Sequence, residues 1–454
     1  NTETFFRMPD TFNRISVFML SIIFLVFSSM IPNRYNTENK KTQIIFGMLS
    51  SIFFLSILTT DSLYNIAIIL LFSLSIYHYV YKANHKFKSY EILFLLAYLI
   101  LSVFPFLHSF FISSNISEVD NYTRFLLAIP LYLMIRDLNF NKEYFLYLIN
   151  ISALLLLPIS LHFYFTEDLN RIRLFTSSAT ILGNISMTFF LFAVLSIYFF
   201  KKHNLNYVFL PYLSSLAALF SWGLSGSRFT IIIPLLVLLL SMINNHSRKY
   251  ISFLFDRKGL LFLFLLFSVF FSSISFDRFT NLNFSSLSDF NKPNANYWMK
   301  QDSIIPRLLI WNGAINIIRE NPVFGVGLDN FNNHLNKQIL EGKIEAIRKD
   351  LNNPTAGLNH AHSQYLDTFA KMGILGFLIL LLFMFFNFYF FYRLCKESED
   401  EIYPVFGFLF IFIHSVMMIN DVILSHHQST IFMVYSLVFF AGLSMLSERR
   451  GGIQ

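Results

Sequence analysis

The sequence predicts an all-α protein, a polytopic bundle that crosses a membrane about 12–13 times and carries one large, partly helical loop outside it. Three observations predict this class. Charged residues make up only 13 % of the 454, half the roughly 25 % of a soluble domain. Hydrophobic residues reach 55 %, with 58 phenylalanines and a mean hydropathy of +0.55. The apolar residues also fall in continuous runs near the length that a spanning helix needs, rather than in the alternating pattern of a barrel. These features exclude an ordinary cytosolic enzyme and a disordered chain. One cysteine, Cys395, excludes an internal disulfide or a multi-cysteine metal site.

Taken in order, the apolar runs lie at roughly 15–31, 43–60, 63–81, 90–111, 122–136, 143–165, 179–200, 207–223, 228–243, 259–275, 373–392, 402–420 and 430–446. The first reads as a span, so no cleavable signal peptide is expected. Three segments follow: 1–275 with the amino-terminal helices, 276–372 as the large loop, and 373–454 with the last helices and tail. Alternate short connections hold the lysine-rich clusters, such as Lys82, Lys86 and Lys88, Lys201 and Lys202, and Arg248 and Lys249. By the positive-inside rule these and the carboxyl terminus are cytoplasmic, and the large loop lies on the opposite, outer side. The net charge of +7 is thereby accounted for without a nucleic-acid partner. Within the loop, Arg307–Arg319 has apolar residues at helical spacing between Pro306 and Pro322, and Leu335–Leu351 reads as a second helix stopped by Asn352-Asn353-Pro354.

Several polar residues stand where they are costly or chemically apt. Arg228 follows Ser225-Gly226-Ser227 at the outer mouth of a run. There a guanidinium can grip a phosphate through two hydrogen bonds, or simply snorkel to the interface. Arg307 opens the loop helix, as a ligand contact or a solvated first-turn residue. Arg171 and Arg173 on the same side suit an anionic headgroup or an interfacial pair. In Asn359-His360-Ala361-His362-Ser363, an imidazole can accept a proton from a sugar hydroxyl, or serve as a hydrogen-bonding loop residue. Metal binding is disfavoured, because no third ligand lies nearby and the pair His426-His427 is distant in sequence. Asp421, after a late span, is either functional or the holder of an arginine. His108, His162 and His414 read as hydrogen-bonded core residues. No phosphate-binding glycine loop, kinase pattern or Asp-x-Asp metal dyad occurs, so neither a cofactor nor a divalent ion is expected.

Two landmarks carry a resemblance. One is Arg307-Leu308-Leu309-Ile310-Trp311-Asn312-Gly313-Ala314 followed by Asn321-Pro322-Val323-Phe324-Gly325-Val326-Gly327. The other is His360-Ala361-His362-Ser363-Gln364-Tyr365-Leu366 with Gly373 and Gly376. With Ser225-Gly226-Ser227-Arg228, and in this order, they resemble the O-antigen ligase/polymerase superfamily over roughly 165–446. Ser363 stands where many members have asparagine. The resemblance implies a multi-pass protein of the bacterial inner membrane with its active site facing the periplasm. It implies a metal-independent glycosyltransferase with an undecaprenyl-pyrophosphate-linked glycan as donor. Arg228 and Arg307 would bind the pyrophosphate and His362 would be catalytic, with Arg171, Arg173, His360 and Asp421 as possible supports. The Asn420-Asp421-Val422-Ile423 segment is similar to enterobacterial ligases. The first expectation is therefore an O-antigen ligase with lipid A–core as acceptor. A polymerase extending undecaprenyl-linked repeats is the nearer alternative, and a lipid or glycan transporter the more distant one.

Overall fold

The computed structural model describes residues 40–81, 87–112, 119–138, 142–166, 171–243, 257–271, 304–345, 358–397 and 401–451. Among these every regular element is helical, and the protein is an all-α polytopic membrane protein. The helices are α1 (Lys40–Ser56), α2 (Leu63–Tyr81), α3 (Ser89–Ile112), α4 (Asp120–Asp137), α5 (Lys142–Thr166), α6 (Ala179–Lys202), α7 (Leu210–Ser225), α8 (Ile232–Ile243, after a 3-10 turn at Phe229–Ile231), α9 (Arg257–Phe271), α10 (Ile304–Glu320), α11 (Phe331–Leu340), α12 (Gln364–Glu397), α13 (Ile402–Met417) and α14 (His427–Gly451). Each apolar run from 43–60 onward coincides with one of α1–α9 or α12–α14. The run at 15–31, the Asn352-Asn353-Pro354 stop and the clusters at Lys82, Lys86, Arg248 and Lys249 lie outside the described residues.

Among the described residues, five helices have both the length and the apolarity to cross a membrane: α3, α5, α6, α12 and α14. Shorter apolar stretches within α1, α2, α8 and α13 complete the pattern. Helix α7, at 16 residues, reaches about 24 Å against a hydrocarbon core of about 30 Å. Its end is set by chemistry rather than by the membrane. Gly226 takes the left-handed C-cap position, φ +62°, and turns the chain sharply before Arg228. At the start of α6, the Ser178 hydroxyl accepts a hydrogen bond from Ile181 N–H at 3.3 Å, a side-chain N-cap.

Helix α14 is central, its stretch Gln428–Met445 wholly buried. Phe46, Phe94, Phe125, Tyr132, Trp222 and Tyr435 are among the large side chains that fill the bundle core. Polar ties close both ends. At one end Glu91, fully buried, pairs with Arg136 at 3.1 Å and accepts from Tyr132 Oη at 2.7 Å, while Lys88 reaches Glu397 at 3.2 Å. At the other end Arg124 on α4 bonds Asp120 Oδ2 at 2.5 Å and meets His427 Nδ1. The loop helices sit at this second end.

A separate small apolar core joins α10 and α11 to the start of α12 through Leu309, Ile317, Phe331, Leu335, Ala361 and Ala370. Helix α10 matches the expected loop helix. The expected helix over Leu335–Leu351 is corrected as far as Ile344 and Glu345, and 346–351 lie outside the described residues. Helix α11 begins four residues earlier, at Phe331, and ends at Leu340, where Gly342 adopts φ +69°. The left-handed glycine ends α11 although the charged run continues. His162 is also corrected, since it is exposed near the end of α5. His108 and His414 are buried and bonded as expected, to Phe324 O at 2.6 Å and Phe410 O at 2.9 Å.

Candidate functional site

Four connections converge at the end of the bundle that carries the loop helices. The first is the α7–α8 turn. Ser227 N–H donates to Ser225 Oγ at 3.2 Å, and Trp222 Nε1 donates to Thr230 Oγ1 at 2.6 Å, so the turn is braced on both sides of Arg228. Gly183 of α6 leaves the room, since a Cβ there would lie 2.8 Å from Ser225 Oγ. Arg171 Nε donates to Ser225 O at 2.7 Å, and Ile172 N–H to Leu224 O at 3.2 Å. A cation at the carboxyl end of α7 also complements the helix dipole. Arg171 thus fastens the turn that presents Arg228.

The second arm is α10. Arg307 sits in its first turn and donates from Nη1 to Asn420 Oδ1 at 3.1 Å. What aims α10 is the segment after it. Gly325 N–H returns to Asn321 O at 3.1 Å, Val326 N–H to Ala370 O at 3.0 Å, Gly327 N–H to Lys371 O at 2.9 Å, and Ile374 N–H to Pro322 O at 2.9 Å. These bonds dock 321–327 onto a break in α12 at Gly373, whose φ of +64° and ψ of −167° are essentially confined to glycine. A Cβ at Gly373 would overlap the Val323 carbonyl and lie 2.6 Å from Phe324 N.

The third arm is the histidine loop. His362 adopts φ +50°, an uncommon conformation for a residue with a side chain. Its neighbours hold it there. Ala361 N–H donates to Asp367 Oδ1 at 2.9 Å, and Asp367 Oδ2 pairs with Lys371 Nζ at 3.0 Å, both side chains buried. Gln364 N–H reaches Met418 O at 2.8 Å and Asp421 O at 3.1 Å, and Gln364 Oε1 accepts from Leu424 N–H at 2.8 Å. The loop is therefore bolted to the fourth arm, the α13–α14 connection. There the buried Asp421 accepts from Asn184 Nδ2 at 2.8 Å and Val422 N–H at 2.9 Å, with His426 Nε2 at 3.9 Å.

Electrostatics follow from this crowding. Burial lowers the Arg307 pKa, Asp421 raises it, and the Arg228 charge lowers it again. The two guanidiniums thus feel each other across one patch. Burial raises the Asp421 carboxyl, against His426, the Val422 N–H, Arg307 and Asn184. Burial is also the main reason that His362 falls from 6.5 to about 3, with His360, Arg307 and His426 adding to it. His360 falls to about 4, first by burial and then through His426 and Lys371. Both rings are neutral at pH 7 and open to a proton.

Of the residues singled out in the sequence, Arg228, Arg307, His360, His362 and Asp421 are brought together. Arg171 lies behind the Arg228 turn, and Arg173 is exposed. Arg307 is held by Asn420 rather than by a direct bond to Asp421. The sequence reading missed Asn184, Asp367, Lys371, Asn420 and, above all, His426. The rings of His360 and His362 lie 4.5 Å apart, edge to face, and His426 comes within 5.6 Å of His360. The signal was available: His426 sits in the connection between the last two apolar runs, which the alternation of spans puts on the same side as His360. Among the described residues no cluster of three or more His, Cys, Asp or Glu side chains could hold a metal ion.

Residues 213–381 match the family model described as O-antigen ligase, which bears out the resemblance to the O-antigen ligase/polymerase superfamily. The match includes Arg228, Arg307, His360 and His362, while Arg171, Arg173 and Asp421 fall outside it. Beyond the family region, an uncharacterized protein of Haemophilus influenzae is 26 % identical over 417 residues, spanning 89 % of this chain and 99 % of that protein.

Proposed function

We propose that this chain is a metal-independent glycosyltransferase of the bacterial inner membrane, acting on its periplasmic side as an O-antigen ligase. It would move a glycan from undecaprenyl pyrophosphate to a hydroxyl of lipid A–core, with 276–372 as the periplasmic loop that completes the site. The observation that carries this reading is the meeting of Arg228, Arg307 and the neutral His362 in one patch, each from a different connection. The Asn420-Asp421-Val422-Ile423 segment, similar to enterobacterial ligases, favours a ligase over a polymerase.

The chemistry follows from the residues. A pyrophosphate is already a good leaving group, so no nucleotide is required. Negative charge grows on it as the anomeric C–O bond breaks, and two prepositioned guanidiniums stabilise that charge more than the ground state. The acceptor oxygen attacks the anomeric carbon while His362 takes its proton. One displacement of this kind inverts the anomeric centre, and retention of configuration in the product would refute it.

The test is an acceptor swap with the purified protein in lipid. Undecaprenyl-pyrophosphate-linked glycan is supplied with and without lipid A–core, and products are resolved on a gel. Glycan on lipid A–core alone supports the ligase. A ladder of lengthening undecaprenyl-linked chains without lipid A–core replaces it with a polymerase using the same arginines and histidine. A transporter is excluded if His362→Ala abolishes product formation while donor binding persists.

A further inference from the structure

A glycosyl transfer to a hydroxyl must dispose of one proton per turnover. Under the reading above, the acceptor O–H bond breaks, a C–O bond forms at the anomeric carbon, and the electron pair of the old C–O bond leaves on the pyrophosphate. The proton goes to His362, which must return to its neutral form before the next turnover. Three imidazoles lie in series. His362 is 4.5 Å from His360 between ring centroids, and His360 is 5.6 Å from His426. The His426 side chain is 24 % exposed, and its Nε2 faces Asp421 Oδ1 at 3.9 Å. The series therefore runs from the histidine loop to a ring beside a carboxylate.

We propose that His360 and His426 relay the acceptor's proton from His362 to solvent, with Asp421 as the counter-charge of His426 while it is protonated. The His362 and His360 rings are in direct contact, and a bridging water can complete a step between ring nitrogens that do not meet. The fixed charges around the rings favour outward passage. Burial is the first reason that neither ring holds a proton for long, and among the fixed charges Arg307 from α10 adds to it at His362 and Lys371 from α12 at His360. Asp367 from α12 is the opposing group at His362, already paired with Lys371 at 3.0 Å. At the end of the series His426 meets a carboxylate instead of a cation. The fold keeps the third ring in range, because Gln364 N–H and Oε1 tie the histidine loop to residues on both sides of Asp421. This inference rests on the transferase reading, and it assigns a role to a residue outside the matched family region.

The experiment uses the full chain in lipid nanodiscs with undecaprenyl-pyrophosphate-linked glycan and the acceptor that supports wild-type turnover. His426→Ala is expected to lower kcat about tenfold, below the 10²–10⁴-fold usual for loss of a general base, with the donor KM unchanged. Added imidazole is expected to restore His426→Ala but not the bulkier His426→Gln, and the solvent deuterium isotope effect on kcat to rise in both. Wild-type kcat in both variants overturns the relay while leaving the transferase intact. So does a loss that imidazole does not restore, or one that appears in donor KM, since a structural role produces those. If the wild-type protein transfers glycan to no hydroxyl acceptor, the transferase reading falls and the relay with it.

Discussion

The break at Gly373 offers the sharpest test of how the site is assembled. Gly373→Ala places a methyl where the Val323 carbonyl and Phe324 N lie, and asks alanine to adopt φ +64°, ψ −167°. The backbone strain alone is worth about 1–3 kcal/mol. Relief of the overlap requires 321–327 to lift from α12, which weakens the bonds Ile374 N–H to Pro322 O, Val326 N–H to Ala370 O and Gly327 N–H to Lys371 O. At about 0.5–1.5 kcal/mol each, the whole change costs about 3–7 kcal/mol. The same segment ends α10, so Arg307 shifts too, and a displacement of about 1 Å at a reacting centre can cost about 10²-fold in rate. Gly342→Ala is the matched control. Its φ is +69° with nothing within 4 Å of a new Cβ, so only about 1–2 kcal/mol is at stake. Thermal unfolding in lipid nanodiscs and turnover of undecaprenyl-pyrophosphate-linked glycan read the two variants. The expected result is a large loss of both in Gly373→Ala and near wild-type turnover in Gly342→Ala. Equal, mild effects would refute the claim that this backbone contact aims α10.

Three further predictions concern the site's charges. Arg228→Ala and Arg307→Ala are each expected to reduce donor use by about one to two decades, the worth of a charge-assisted bond of about 1.5–3 kcal/mol; wild-type turnover by both would remove them from the site. Activity is expected to survive EDTA, and a loss that a divalent ion restores would reveal a metal requirement. In the free protein His362 sits near 3, so its base form is present throughout pH 5–8 and kcat/KM should show no acid limb from it there. Bound pyrophosphate favours the imidazolium, so the acid limb of kcat should lie at higher pH than that of kcat/KM; the reverse order would contradict the placement of the arginines. The stability linkage has the same origin. Unfolded histidine takes a proton near 6.5 while folded His362 does not, so this contribution is complete above that pH and is lost progressively toward pH 3.

Helix identity was legible because each apolar run carries its own evidence of burial in lipid or bundle core. The run at 179–200 and α6 differ by two residues at their ends. Arg228, Arg307 and His362, which the fold brings together, were singled out from their local setting and from the family resemblance. Their partners were not. Asn184 lies in the middle of an apolar sequence, and only the fold brings it within 2.8 Å of Asp421. His426 was set aside as too far along the chain, but sequence distance does not measure separation when connections alternate between two ends of a bundle. Helix α11 was misplaced because its charged positions keep helical spacing past Gly342, whereas the backbone obeys the glycine.

The convergence also explains why no single segment can form the site. Two guanidiniums brought into one buried patch repel, as the opposing effect of Arg228 on Arg307 shows. A fold that holds them there must supply compensation, and it does so only in part. Asp421 favours the charged form of Arg307, but its carboxylate hydrogen bonds go to Asn184 and Val422 N–H. Asp367 is committed to Lys371 and to the backbone of Ala361. With His360 and His362 neutral, the charged side chains named here leave a net positive patch at neutral pH: Arg228, Arg307 and Lys371 against Asp421 and Asp367. The electrostatic cost of assembling that patch is set against packing from α10, α12 and the α13–α14 connection. On the proposed function, entry of a pyrophosphate would relieve it, so donor binding and completion of the site would be linked. A protein loaded with donor should therefore be more stable than the free protein, and this gain should shrink when Arg307 is replaced by alanine.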